Sequence, residues 1–293
     1  MAQIPGTGFA GPTAAVRFGC SSFSSDDWVG PFYPPGTRPG DYLRHYALKF
    51  DTVEIDATYY AIPRASVVDG WFDKTPDGFL ICAKFPRSIV HAGQGPVPDG
   101  EKILVPEETY HERDQFLEVM SRLKDRLGTL VLQFPYFGKK SFASDKPFLA
   151  RLDQFLGDLP GEFDYAVEVR NRQWVTPELA HLLRGHSVSM VLVDQAWMPH
   201  ADELMDRFDP VTGSVCYIRL LGDRKEIEAI TETWGEEVID RRERLKRWAT
   251  VLDRMAQKQV PSLVYVNNHY AGHAPSTVRR LQELFAGTRE AAG

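Results

Sequence analysis

Eight short apolar runs punctuate the chain, and each ends in polar or charged side chains: VRFGCS from Val16, TVEIDA from Thr52, FLICAKFP from Phe79, LGTLVLQFP from Leu127, YAVEVRN from Tyr165, VSMVLVDQ from Val188, SVCYIRLLG from Ser214 and SLVYVNNH from Ser262. Runs of this length and composition read as buried strands. Apolar positions at three-to-four spacing predict helices over residues 41–50, 65–74, 110–126, 146–159, 177–186, 202–208, 236–259 and 275–285. Strand and helix thus alternate eight times, as parallel strands require, and eight units favour closure over an open sheet. The predicted fold is α/β, a single (β/α)8 TIM-barrel-like domain with long βα loops. An open doubly wound sheet is the alternative, weakened because no Gly-x-Gly-x-x-Gly turn follows the first strand.

In a closed parallel barrel the C-terminal strand ends share one mouth. Seven runs deliver Glu54, Lys84, Gln133, Glu168 with Arg170, Asp194, Arg219 and Asn267 there, and the first ends in Ser21 and Ser22. The long connections, residues 22–40, 86–109, 135–145 and 222–235, all follow strands. Loops of that length are usually binding loops or lids. The first carries Trp28, Phe32 and Tyr33, which either pack on a ligand or cover the mouth.

Side chains alternate across a strand, so Glu54 shares a face with Asp56, and Glu168 with Arg170, opposite Val53, Ile55, Val167 and Val169. The apolar set suits the helix layer, which turns the charges into the barrel, where they need partners. Lys84 and Arg219 are the natural countercharges. A purely structural ring of ion pairs is one outcome. A surplus of cations near strand ends (Arg64, Lys84, Arg87, His91, Arg170 and Arg219) favours an anionic ligand instead. The segment NNHYAGHAPSTVRRL places Gly272 and Pro275 at a helix start that suits phosphate, although ordinary capping is the commoner cause. Glu54, Asp56, Glu168 and Asp194 have the chemistry for a divalent cation, but no cofactor is required, and His91, His269 and His273 lack zinc-like spacing. Neighbouring carboxylates would keep Lys84 charged, which argues against Schiff-base chemistry.

The bulk numbers change little. The chain of 293 residues, 43% apolar, suffices for one barrel of roughly 250 residues plus loops. We expect a flexible leader over residues 1–15, the barrel over 16–288 and a tail over 289–293. Net charge of -6 gives no chain-wide attraction to nucleic acid or anionic membrane. Arg241, Arg242, Arg244, Lys246 and Arg247 cluster in the 236–259 helix, but acids at its start and bases later suit a solvated face and the helix dipole. Cys20, Cys82 and Cys216 sit inside predicted strands as small hydrophobes of a reducing compartment. No stretch has the length of a signal peptide or membrane span, so the expectation is a cytoplasmic soluble protein.

The motifs FGCSSFSSDDWVGPFYP, TVEIDATYYAIP, WFDKTPDGFLICAKFPRSIVH, LGTLVLQFP, YAVEVRNRQW, VLVD, YIRLLG and YVNNHYAGHAP, in this order, resemble the YecE-like family, catalogued as domain of unknown function 72. The resemblance covers essentially the whole chain and implies a TIM-barrel-like fold without an established activity. Glu54, Lys84, Pro86, Arg87, His91, Gln133, Glu168, Arg170, Trp174, Asp194, Arg219, Asn267 and Asn268 match its pattern. The family has Glu-Ile-Asn-Ser-Thr where this chain reads Glu54, Ile55, Asp56, Ala57, Thr58, and tends to have His at Leu221 and often at Asn171. No role is therefore assigned to a histidine at either position.

The combined expectation is an enzyme binding an anionic, sugar-like or nucleotide-like molecule at the barrel mouth. Glu168 or Asp194 would transfer protons with Glu54 as second carboxylate. Lys84, Arg87, His91, Gln133, Arg170, Arg219, Asn267 and Asn268 would bind the ligand between walls of Trp28, Tyr59 and Trp174. The alternatives are a nucleic-acid-binding or phosphodiester-processing protein, disfavoured by charge, and a non-catalytic ligand sensor.

Overall fold

The computed structural model describes residues 16–93 and 95–292, with side chains up to residue 289. The expected leader, residues 1–15, lies outside them. All eight runs form parallel strands: β1 Val16–Cys20, β2 Thr52–Ile55, β3 Leu80–Lys84, β4 Leu127–Gln133, β5 Tyr165–Glu168, β6 Ser189–Asp194, β7 Cys216–Leu220 and β8 Ser262–Val266. From β2 to β8 each strand pairs with the next, and β1 pairs with β8, giving an almost closed sheet.

The one unpaired seam lies between β1 and β2, where the Tyr46 hydroxyl replaces the ladder. It accepts from the Cys20 N–H at 2.7 Å and donates to the Thr52 carbonyl at 3.0 Å. A Cβ at Gly19 would sit 2.2 Å from that same carbonyl oxygen, so only glycine lets the strands approach this closely.

The helices are α1 Tyr42–Ala47, α2 Ala65–Asp73, α3 Arg87–Val90, α4 Pro106–Met120, α5 Asp145–Gly157, α6 Pro177–Gly185, α7 Ala201–Met205, α8 Arg224–Glu228, α9 Arg242–Gln257 and α10 Ala274–Ala292. Two short helices, α3 and α8, interrupt long βα loops, and α10 takes in residues 289–292 of the expected tail. Helix α9 starts six residues later than its pattern suggested, because the 236–241 segment is fixed from outside. The N–H groups of Val238 and Ile239 bind the Ala271 carbonyl, and Asp240 accepts from the Arg242 N–H. The acids expected in the helix's first turns thus lie in a loop.

Two apolar shells sandwich the sheet. Val53, Ile55, Val167 and Val169 face the helices, while Leu80, Cys82, Val131, Ala166, Tyr217 and Tyr265 fill the barrel interior. This alternation aims Glu54, Glu168 and Arg219 inward at the C-terminal end. The three cysteines are free and buried, and burial pushes the thiols of Cys82 and Cys216 up to about 12, so none is poised as a thiolate. No helix among the described residues is long and apolar enough to cross a membrane.

Candidate functional site

Arg219, at the C-terminal end of β7, is buried at the centre of the barrel. Its Nε and one terminal nitrogen donate to Glu54 at 3.0 and 2.8 Å. Its other terminal nitrogen donates to Gln133 at 2.7 Å and also to Glu168. Tyr217, two residues back on the same face, donates to the second oxygen of Glu54 at 2.8 Å. Lys84 Nζ lies 3.8 Å from Glu54 and pairs with Asp56. Glu54 and Glu168 are both wholly buried, yet every charge has a counterion, which offsets the cost of removing them from water. Burial alone would raise Glu168, but Arg170, Arg219 and Lys84 outweigh it and hold the carboxyl at about 2.

Arg170 continues this network outward. Its Nε donates to Glu168, and its two terminal nitrogens have no protein partner among the described residues where the side chain lines the mouth. An arginine held in this way presents a charged fork to whatever enters.

That mouth is an open cavity of about 1210 Å³. Its floor includes Lys84, Gln133 and Arg219; its walls include Tyr59, Gln195, Asn267 and His269; Arg172, Arg224 and Lys225 add positive charge at the rim. Asp223 is the one acidic side chain in the lining among the described residues, and its carboxylate is occupied in capping α8. Gly222, with φ of +68°, brings this loop against the last one: a Cβ there would lie 2.4 Å from the His269 carbonyl oxygen. His269 Nδ1 sits 2.6 Å from Asn267 Oδ1, which assigns the proton to Nδ1, and burial together with Arg224 lowers the imidazole below its usual range.

The structure thus brings together Glu54, Lys84, Gln133, Glu168, Arg170, Arg219, Asn267 and Tyr59 from the sequence-predicted set, with the two glutamates beneath the cavity surface. It separates the others. Asp194 faces the helix layer, because on β6 the interior positions are Val191 and Val193. Its carboxylate accepts from Trp248 Nε1 at 2.6 Å, from the Tyr270 hydroxyl at 2.9 Å and from Arg244, so it holds α9 to the barrel. Trp28 is core, ringed by Phe32, Tyr33 and His273. Trp174 is buried in stacks with Phe137 and Phe148.

Arg87 binds the Gly95 carbonyl beside His91, and Arg87 lines a smaller neighbouring hollow. Asn268 accepts from the Ala274 N–H at 3.0 Å, which is helix capping and takes up the N–H group expected to face phosphate. The carboxylates considered for a divalent cation do not converge: Asp194 is on the other face, and Glu54, Asp56 and Glu168 are occupied by Lys84, Arg170 and Arg219. The basic cluster of α9 is likewise neutralised, since Arg241, Arg242, Arg244, Lys246 and Arg247 each have an acidic partner. Sequence reasoning missed Arg172, Gln195, Arg224, Lys225 and the site position of His269, all of which lie beyond the strand ends, Arg224 and Lys225 in the short helix α8.

The family model described as protein of unknown function DUF72 matches residues 17–292. The UPF0759 protein YecE of Escherichia coli is 30% identical over 260 residues, covering 82% of this chain and 84% of its own. A solved DUF72 family protein from Thermotoga maritima superposes with a TM-score of 0.62 at 27% identity, over 94% of this chain and 99% of its own. One from Enterococcus faecalis does so with a TM-score of 0.66 at 22% identity, over 93% and 96%. The chain belongs to the DUF72 family.

Proposed function

We propose that this DUF72 barrel binds an anionic, phosphate- or carboxylate-bearing small molecule, sugar-like or nucleotide-like, in the cavity at its C-terminal mouth, and acts on it as an enzyme. The observation that carries the reading is Arg170: its Nε is fixed by a buried carboxylate while its terminal nitrogens open into a cavity also lined by Lys84, Arg172, Arg224 and Lys225. A planar fork with two free donors matches the paired oxygens of a phosphate or carboxylate. Glu168, held ionised at about 2, serves as a proton acceptor or as a partner for developing positive charge, and not as a proton donor. An anion on the terminal nitrogens of Arg170 would offset part of its positive charge and so raise the basicity of the Glu168 carboxylate, which couples binding to acid–base chemistry.

Binding without turnover is the second reading, favoured by the complete burial of both glutamates beneath the cavity surface. Calorimetric titration with inorganic phosphate and ribose 5-phosphate tests the shared claim. Both should bind, and Arg170→Gln should abolish binding while leaving the fold intact. If neither probe binds the wild-type protein, the anion reading is wrong.

A further inference from the structure

Three large aromatic side chains stand exposed on the cavity lining, with 79% of Tyr60, 61% of Tyr136 and 46% of Trp197 open to solvent. Elsewhere aromatic rings of this size are buried in quantity, so exposed faces at one mouth call for a ligand to cover them. Their placement is ordered. Tyr60 follows β2, Tyr136 follows β4 and Trp197 follows β6, whereas the cations come from the strands between and after them: Lys84 on β3, Arg170 and Arg172 after β5, and Arg219 on β7. Because the strands run around the barrel in sequence order, aromatic and cationic positions alternate around the mouth.

The run Tyr136, Arg170 with Arg172, then Trp197 therefore sets a ring platform on either side of a free cationic fork. Two residues before Trp197, just past the end of β6, Gln195 lines the cavity, and its buried Oε1 lacks a hydrogen-bond partner among the described residues, an acceptor left unsatisfied at the cavity wall. At about 1210 Å³ the space also exceeds what a single sugar phosphate fills, since drug-sized ligands occupy pockets of roughly 300–1,000 Å³.

We infer that the ligand is a dinucleotide-type molecule, two flat bases joined through a pyrophosphate, with the pyrophosphate on Arg170 and Arg172 and the bases stacked on Tyr136 and Trp197. The inference rests on the anion-binding reading above and narrows it to a substrate class. Stacking on a π-face accepts any base, so the platforms supply affinity, and the Gln195 oxygen supplies an acceptor for an exocyclic amine or a ribose hydroxyl. Both platforms are exposed, which makes them replaceable without disturbing the core.

Titration with inorganic phosphate, ribose 5-phosphate, AMP, diadenosine pyrophosphate and a ten-residue oligothymidylate tests it. Diadenosine pyrophosphate should bind about tenfold or more tighter than AMP, as expected when a second base stacks. Tyr136→Ala and Trp197→Ala should each remove most of that gain and leave inorganic phosphate binding unchanged. Phosphate and ribose 5-phosphate binding with no further gain for the dinucleotide would overturn this inference and spare the anion reading. So would a gain that survives both substitutions, or an oligothymidylate that binds tighter than the dinucleotide. Failure of every phosphate-bearing probe would remove both.

Discussion

Arg219 grips Glu54 with two nitrogens, at 3.0 and 2.8 Å, in the middle of the barrel, where Glu54 is wholly buried and Arg219 all but buried. The same guanidinium also holds Glu168, so two buried carboxylates share it, with Arg170 on Glu168 and Lys84 beside Glu54. Arg219→Met should therefore destabilise the fold strongly, by about 3–5 kcal/mol, since it removes the one cation that both buried carboxylates share. Urea denaturation at neutral pH measures it. A cost under about 1 kcal/mol, the range of exposed pairs, would mean that water reaches the network.

Acid should expose the same network through Glu168. Its folded value of about 2 lies below the ordinary 4.5, so the pair's stability is fully present above 4.5 and is lost as pH falls through 2. The loss should be on the order of 3 kcal/mol over that window. In Glu168→Gln the fall between pH 4.5 and 2 should shrink accordingly. Parallel pH profiles in wild type and variant would show that Glu168 is not held ionised.

His273 should act in a different window. Burial, reinforced by Arg279, lowers its imidazole from 6.5 to about 4. The unfolded chain takes up a proton before the folded one does, so this contribution is intact above 6.5 and lost as pH falls to 4. The imidazole carbon shift of His273, followed by nuclear magnetic resonance, should stay that of the neutral ring at pH 5.5. A midpoint at 6 or above would contradict the burial argument.

Asp194 tests whether a charge at a strand end belongs to the site. It accepts from Trp248, Tyr270 and Arg244 on the helix side of β6. Asp194→Asn should cost roughly 1.5–3 kcal/mol by weakening charge-assisted bonds, and should leave phosphate affinity unchanged. Lost phosphate binding in a folded Asp194→Asn protein would return this residue to the site.

How much of this was legible in the sequence follows from parity and from loops. In TVEIDA and YAVEVRN, polar and apolar residues alternate, so the inward aim of Glu54 and Glu168 could be read directly. VSMVLVDQ is apolar on both faces, so nothing in it says which way Asp194 points; only Trp248 and Tyr270, distant in sequence, decide. Trp28 and Trp174 sit among loop residues that gave no burial pattern, and both turned inward to aromatic clusters. Tyr60, Tyr136 and Trp197 come from loops of the same character and turned outward. The late start of α9 was hidden because the N–H groups of Val238 and Ile239 donate to the carbonyl of Ala271 in the loop after β8, a tertiary contact without local signal.

Arg170 carries the last prediction, because charge and geometry separate there. Arg170→Lys keeps the positive charge beside Glu168 but replaces a fork of three donor nitrogens with one ammonium, which cannot bind Glu168 and also present two parallel donors to an anion. Phosphate affinity should fall about tenfold, close to the 1.4 kcal/mol that one charge-assisted hydrogen bond contributes. Stability should change little, because Glu168 keeps Arg219 as its buried partner and the Arg170 side chain is 20% exposed. Raising the salt concentration should weaken both proteins alike, since their charge is the same. Calorimetric titration of phosphate at two ionic strengths reads both quantities. Equal affinity in wild type and Arg170→Lys would mean that the mouth attracts anions by its summed charge alone and that the fork has no part in recognition.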